Sequence, residues 1–311
     1  MTNPMAALER TLADGRVVIL DGATGTELER LGAAMDDAAW CALATLSDPD
    51  LLRQVHRGYI DAGADVITTN TYASCRHMLE AAGHGGQVAA ILRQTVRLAR
   101  EARDAAAPDR PVAIAGAISH MHPHVVGGDK EDPARRPTEA QQAANYREMA
   151  EILAEAGVDL ILLEMMSDPD RAQHVLPAAL ATGLPVWVGF TCKTDARGKL
   201  VAYRRPDLGF GKMVEAVMAL GGSVAGVMHS SVNDTTAALE ALPAHWNGPI
   251  MAYPESGHFA MPHWQFVDVI PPEDFARQCR TWVDGGVQII GGCCGISIDH
   301  IARMTAALRA R

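Results

Sequence analysis

No stretch of this 311-residue sequence approaches the roughly 18 consecutive apolar residues of a membrane-crossing helix, so no membrane span is expected. Residues 1–10 also lack the apolar centre of a secretory signal. Cysteine is scarce. The six present (Cys41, Cys75, Cys192, Cys279, Cys293 and Cys294) are too few for a disulfide framework in so long a chain. They fit a reducing compartment with thiols kept for metal work, and a cytoplasmic location is expected. Positive charge is short as well: 27 basic against 37 acidic residues leave a net charge of −10. That balance argues against nucleic acid or an anionic membrane as partner. No glycine-rich phosphate fingerprint follows the first apolar run, which weighs against a doubly wound nucleotide-binding sheet.

What is present is a regular alternation. Apolar residues make up 48% of the chain and charged residues 21%, ample for a large core. Short apolar or β-branched runs occur at 17–21, 65–70, 112–119, 159–165, 186–191, 225–230, 250–254 and 287–293. Between them lie stretches with helical spacing, such as Leu52, Val55, Tyr59 and Ile60. Gly63 and Gly157 sit where a helix would end just before a strand, which suits a C-cap. Eight strand–helix units predict a single-domain (β/α)8 barrel over residues 1–311, its apolar strands covered by helices. Such barrels carry their sites at the C-terminal ends of the strands. Asp21, Asn70 with Tyr72, His120, Glu164, Thr191, His229, Tyr253 with Glu255, and the Cys293–Cys294 pair all fall there.

The segment Gly291-Gly292-Cys293-Cys294-Gly295 is the most distinctive. Neighbouring side chains on a strand point to opposite faces, so adjacent cysteines grip one ion only where the strand breaks into a loop. Flanking glycines supply the freedom and remove bulk. Paired thiolates are soft ligands that suit zinc. The competing readings are a buried apolar pair or a strained vicinal disulfide. His120, His122 and His124 alternate on one segment and offer a second ion site, but Pro123 interrupts the extension and a polar loop at the entrance is the simpler reading.

With these residues in place, the sequence resembles the homocysteine S-methyltransferase family of zinc-dependent barrels. The resemblance runs from about residue 8 to the end. It is carried by Asp21-Gly22-Ala23-Thr24-Gly25-Thr26-Glu27-Leu28, Thr69-Asn70-Thr71-Tyr72, Glu164, Tyr253-Pro254-Glu255-Ser256-Gly257 and Gly291-Gly292-Cys293-Cys294-Gly295. Two departures stand out. Where the family has a third zinc-binding cysteine after strand six, this chain reads Gly226-Val227-Met228-His229-Ser230, with His229 in the cysteine's place. Where the family has a Gly-Pro pair after strand three, this chain carries the His120–His124 segment. A lone His at a strand end also reads as an ordinary hydrogen-bonded residue. As a ligand it changes the charge: zinc with three thiolates is formally −1, and zinc with two thiolates and an imidazole is neutral. The neutral site is the stronger Lewis acid, and the bound thiolate is correspondingly less basic.

The resemblance implies a Zn2+ cofactor held by His229, Cys293 and Cys294 and methyl transfer from an onium donor to the thiol of homocysteine. It implies that Asp21 and Glu164 hold the acceptor's ammonium, although both residues also suit helix capping. Backbone amides near Gly22, Thr26 and Ser256 are expected to take the carboxylate, and Asn70 to line the site. Trp40 and Tyr72 are expected to offer aromatic faces to the donor cation; Trp40 also reads as core or lid. Met165 and Met166, in place of an aromatic residue, favour a sulfonium donor such as S-methylmethionine or S-adenosylmethionine over a betaine. Competing functions are a metal-dependent hydrolase using the histidine cluster and a non-catalytic thiol or onium binder. Homo-oligomerisation stays open.

Overall fold

A computed structural model describes residues 3–125, 130–260 and 265–310; the remaining positions lie outside the described residues. Eight parallel strands are present: β1 (Val18–Ile19), β2 (Val66–Thr68), β3 (Ala113–Ser119), β4 (Leu160–Met166), β5 (Val186–Phe190), β6 (Val224–Met228), β7 (Ile250–Tyr253) and β8 (Ile289–Ile290). They are hydrogen-bonded in the order β1-β8-β7-β6-β5-β4-β3-β2. The ring closes at a parallel bridge between Leu20 and Val66, where the Asp21 amide donates to the Val66 carbonyl at 3.0 Å. The predicted (β/α)8 barrel is therefore the observed fold.

Alternation along the strands builds two cores. On β3 and β4, Ala113, Ala115, Leu160 and Leu162 fill the barrel interior, while Ile114, Ile118, Ile161 and Leu163 face the helices. Both faces are covered, which explains why the strands read as continuous apolar runs. Each strand leads to a barrel helix: Pro49–Asp61, Val88–Ala106, Glu139–Ala156, Pro169–Leu180, Phe210–Met218, Val232–Ala241, Pro272–Asp284 and Ile298–Arg309. The Glu139–Ala156 helix shows why its boundaries were legible. Thr138 and Gln141 form a capping box at its start, and Gly157 ends it in the left-handed conformation at φ +89°. The preceding helix Pro4–Ala13 sets Leu8, with Met5 and Leu12, against the interior cluster.

Three details depart from expectation. β1 and β8 are only two residues long, because the chain leaves the sheet at Asp21 and Gly291 to form the site loops. β4 runs on to Met166 through a bulge. After β5 an antiparallel three-stranded sheet is inserted (Cys192–Thr194, Leu200–Ala202, Arg205–Gly209), and it rises over the C-terminal mouth.

Candidate functional site

A cavity of about 420 Å3 opens at the C-terminal ends of the strands. Asp21, Gly22, Trp40, Asn70, Tyr72, Glu164, His229, Cys293 and Cys294 all line it. Ligand atoms of His229, Cys293 and Cys294 lie within 4.8 Å of one another, and among the described residues no other such group occurs. Cys293 Sγ is 3.5 Å from His229 Nδ1 and 3.9 Å from Cys294 Sγ.

The backbone explains how neighbours come to face one cavity. A Cβ on Gly291 would sit 2.6 Å from the Asp21 carbonyl, so only glycine lets β8 leave the sheet against β1. Gly295 turns the loop back at φ +81°. The glycines thus clear room for the neighbouring chain rather than for the ion. His229 adopts φ +42°, a conformation that costs a non-glycine residue and that concentrates at functional positions. Because of it, Met228 and His229 both line the cavity.

Backbone pairing continues past the strand ends. The His229 amide donates to the Tyr253 carbonyl at 3.3 Å, Glu255 to Ser230 at 3.0 Å, Cys293 to Pro254 at 2.8 Å and Ser256 to Cys294 at 3.0 Å. This corrects two expectations. The Ser256 amide is engaged by Cys294, and its hydroxyl accepts from Ile270 at 2.8 Å. Thr26 Oγ1 accepts from the Gly295 amide at 3.2 Å. Neither residue lines the cavity; both brace the cysteine loop from behind.

Sequence reasoning gave Glu255 no role. Its Oε2 lies 2.9 Å from His229 Nδ1. Burial disfavours a charged imidazole, yet Cys293 and Glu255 hold the His229 pKa well above its ordinary range. Cys293 is itself pushed up by its hydrogen bond to Cys294 and by burial.

Asp21 and Glu164 are buried carboxyl groups. Asp21 accepts from the Thr68 amide at 2.6 Å and the Thr68 hydroxyl at 2.8 Å. Glu164 reaches the cavity through the β4 bulge: Leu163 pairs Val188 and Met166 pairs Phe190, so two residues on β4 face one on β5. Glu164 and Met165 consequently both line the wall, with Met165 at φ +57°. Burial pushes the Asp21 pKa up to about 7, offset in part by Thr68. Burial and then the Asp21 charge push Glu164 to about 8, opposed by His229.

At these two carboxyls the folded protein binds more protons than the unfolded chain between about pH 4 and pH 8, so their own contribution to stability falls as pH rises through that window. The buried His56, His77 and His120 contribute in the opposite sense below about pH 6.5. Each tenfold change in proton affinity on folding is worth ~1.4 kcal/mol, so Glu164 contributes on the order of a few kcal/mol. In protein free of metal and ligand, Glu164→Gln is expected to flatten the fall in urea midpoint from about pH 6 to about pH 8.5. An unchanged fall would remove Glu164 from this account.

The opposite wall is aromatic and sulfur-rich. Trp40 meets Tyr72 edge-on with ring centroids 6.2 Å apart. The Tyr72 hydroxyl donates to Met165 Sδ at 2.6 Å. Asn70 is anchored by its amide: Nδ2 donates to the Cys41 carbonyl at 2.8 Å and Oδ1 accepts from Cys41 Sγ at 3.0 Å. It fixes the loop that presents Trp40. The inserted sheet adds Lys193, Tyr203 and Arg204 to the rim, residues that the sequence did not flag.

The histidine cluster does not converge. His120 Nε2 accepts from the Ser167 amide at 3.0 Å, and burial lowers its pKa to about 3. His124 Nε2 lies 3.3 Å from Arg204 Nη2, and His122 packs edge-on to His77. Among the described residues these three rings form no group at metal-ligand spacing, so the polar-loop reading holds rather than the second-ion option.

Comparison with known proteins gives the family and the fold. The family model for homocysteine S-methyltransferase matches residues 18–308. The homocysteine S-methyltransferase of Escherichia coli K12 is 29% identical, with the alignment covering 98% of each chain. The selenocysteine methyltransferase of Astragalus bisulcatus is 28% identical over 92% of this chain and 91% of its own. In fold, the metallated form of the E. coli homocysteine methyltransferase MmuM superposes with a TM-score of 0.75 at 24% identity, covering 96% of this chain and 99% of that one.

Proposed function

The chain belongs to the homocysteine S-methyltransferase family and is a methyltransferase; from that premise we propose that it methylates the thiol of homocysteine, giving methionine, with Zn2+ as cofactor and a sulfonium compound as donor. The observation that carries this reading is the shared cavity: a His229–Cys293–Cys294 cluster within 4.8 Å and the buried pair Asp21 and Glu164 open into the same space. Two thiols and an imidazole fit zinc, which takes N and S ligands and leaves a fourth position for a thiol. When bound, zinc supplies the Lewis acidity that favours the ionised thiol at neutral pH.

The chain's own residues do the rest. Asp21 and Glu164 take the acceptor's ammonium, whose positive charge offsets the repulsion between them. The Trp40 and Tyr72 faces, with Met165 beside them, receive the positively charged donor. Alignment of acceptor sulfur and methyl carbon is then the main task. The S–CH3 bond forms as the donor's bond to the methyl breaks, and the electron pair leaves on the donor as a neutral sulfide. The acceptor's carboxylate has no assigned partner beyond the neighbourhood of Gly22.

No described helix is long and apolar enough to cross a membrane. The unpaired cysteines suit a reducing, cytoplasmic setting. Residues 1–311 are read as one barrel domain.

The test measures zinc per chain and screens homocysteine against S-methylmethionine, S-adenosylmethionine and glycine betaine. One zinc per chain and methionine formation from a sulfonium are expected. Because the A. bisulcatus relative is named for selenocysteine, the selenol joins the acceptor screen. Water-dependent hydrolysis without methyl transfer, persisting after loss of both cysteines, would favour the hydrolase. Zinc binding below one per chain with no transfer from any donor would favour a non-catalytic binder.

A further inference from the structure

We propose that Arg204 binds a carboxylate carried by the methyl donor, which makes the enzyme selective for carboxylated sulfonium compounds over simple ones. The proposal rests on the donor reading above and assigns a contact for the anionic end of that donor. Glu131 is then a positioning residue that holds the guanidinium in place.

Three elements meet at Arg204. Tyr203 and Arg204 form the turn between the inserted strands Leu200–Ala202 and Arg205–Gly209, and both line the cavity. Arg204 Nη1 donates to Glu131 Oε1 at 3.1 Å, and Nη2 lies 3.3 Å from His124 Nε2. These partners come from the loop after β3, where the sequence departs from the family. His124 and Glu131 pair there across an antiparallel bridge, and the Asp132 amide donates to the Pro123 carbonyl at 2.8 Å. Glu131 is fixed in turn by Arg171, through two bonds of 2.7 Å. A guanidinium carries five N–H donors in a rigid fork that matches a carboxylate. The two contacts engage two of them, and the side chain keeps 30% of its surface open.

Charge decides what the remaining donors suit. Among the described residues, Glu131 is the carboxylate within ion-pair distance of Arg204, and Arg171 and Arg136 share it. One negative charge divided among three guanidiniums leaves Arg204 with positive charge to spare. Lys193, its Nζ 5.3 Å from the Tyr203 ring centroid, adds a further cation to the cavity lining. Arg204 also bears on the aromatic wall: burial pushes the Tyr72 pKa up, and the Arg204 charge is the largest influence opposing it. A simple onium cation on the Trp40 and Tyr72 faces is repelled by that charge. A donor that brings its own carboxylate turns the repulsion into a charge-assisted hydrogen bond.

Two donors that differ by one carboxylate test this: S-methylmethionine and (3-aminopropyl)dimethylsulfonium. Methyl transfer is measured with the zinc-loaded full-length protein at saturating homocysteine, and melting reports folding. The wild type is expected to prefer S-methylmethionine by at least about tenfold in kcat/KM. Arg204→Gln is expected to lower kcat/KM for S-methylmethionine about 10- to 150-fold, chiefly through KM. For the decarboxylated donor the same substitution should raise kcat/KM about two- to fivefold, because a like charge at a half-open position is removed. Arg204→Lys should recover part of the loss, and the KM for homocysteine should stay where it is. Titration calorimetry of S-methylmethionine into the metal-free protein should show the same weakening. A wild type indifferent to the carboxylate, equal losses for both donors, or a rise confined to the homocysteine KM would overturn the inference while leaving the proposed function standing. A wild type that takes a methyl group from neither sulfonium would overturn both.

Discussion

Replacing both site cysteines, Cys293→Ala with Cys294→Ala, is expected to remove the metal and reduce methyl transfer to background. The pair supplies two of the three ligands, and His229 alone cannot retain zinc against a chelator. Occupancy should fall from one per chain to below about a tenth, since structural thiolate–imidazole sets bind through their combined ligands. The barrel itself should survive. Neither cysteine belongs to the two apolar clusters, and Cys293 only packs against the edge of the interior one, so truncation removes little core packing. Metal analysis beside circular dichroism separates the two effects. Full zinc occupancy in a folded double variant would sink the ligand assignment.

The second large effect concerns recognition. Glu164→Ala is expected to lower kcat/KM for homocysteine roughly 10- to 150-fold, the equivalent of about 1.5–3 kcal/mol for one charge-assisted hydrogen bond to an ammonium. A simple thiol lacking the amino group should lose much less, and zinc content should not change. Glu164→Gln, which keeps the volume within the β4 bulge, guards against a packing artefact. Equal losses for both thiols would assign Glu164 to the fold or the metal and remove the ammonium contact.

The barrel was legible because its strands are buried on both faces and its helices carry explicit ends, as Thr138, Gln141 and Gly157 show. Strand lengths were not. β1 and β8 stop early where loop packing, such as the approach of Gly291 to Asp21, overrides an apolar run. At the site, Asp21, Glu164 and the cysteine pair were visible from position alone, since each falls at a strand end. Thr26 and Ser256 were misjudged because the partner of a backbone or hydroxyl group depends on how loops stack. The Glu255–His229 pair depends on a positive φ that no histidine advertises. Lys193, Tyr203 and Arg204 come from a small sheet with strands of three to five residues, too short to show a period.

The barrel's thinnest join has a consequence for the protein's lifetime. β1 and β8 contribute two residues each, and the ring is completed at Leu20 and Val66. The proposed ligands reach one of those two short strands: Cys293 and Cys294 follow β8 and His229 follows β6, with β7 between them. A bound ion would therefore tie the two-residue β8, against which β1 is paired, to the longer β6. Free zinc at a hundredfold excess over its Kd adds about 2.7 kcal/mol to the folded state, and much of that resistance would fall where local opening is easiest. A cell short of zinc would then lose this enzyme to proteolysis as well as to inactivity, so its abundance would follow the metal supply.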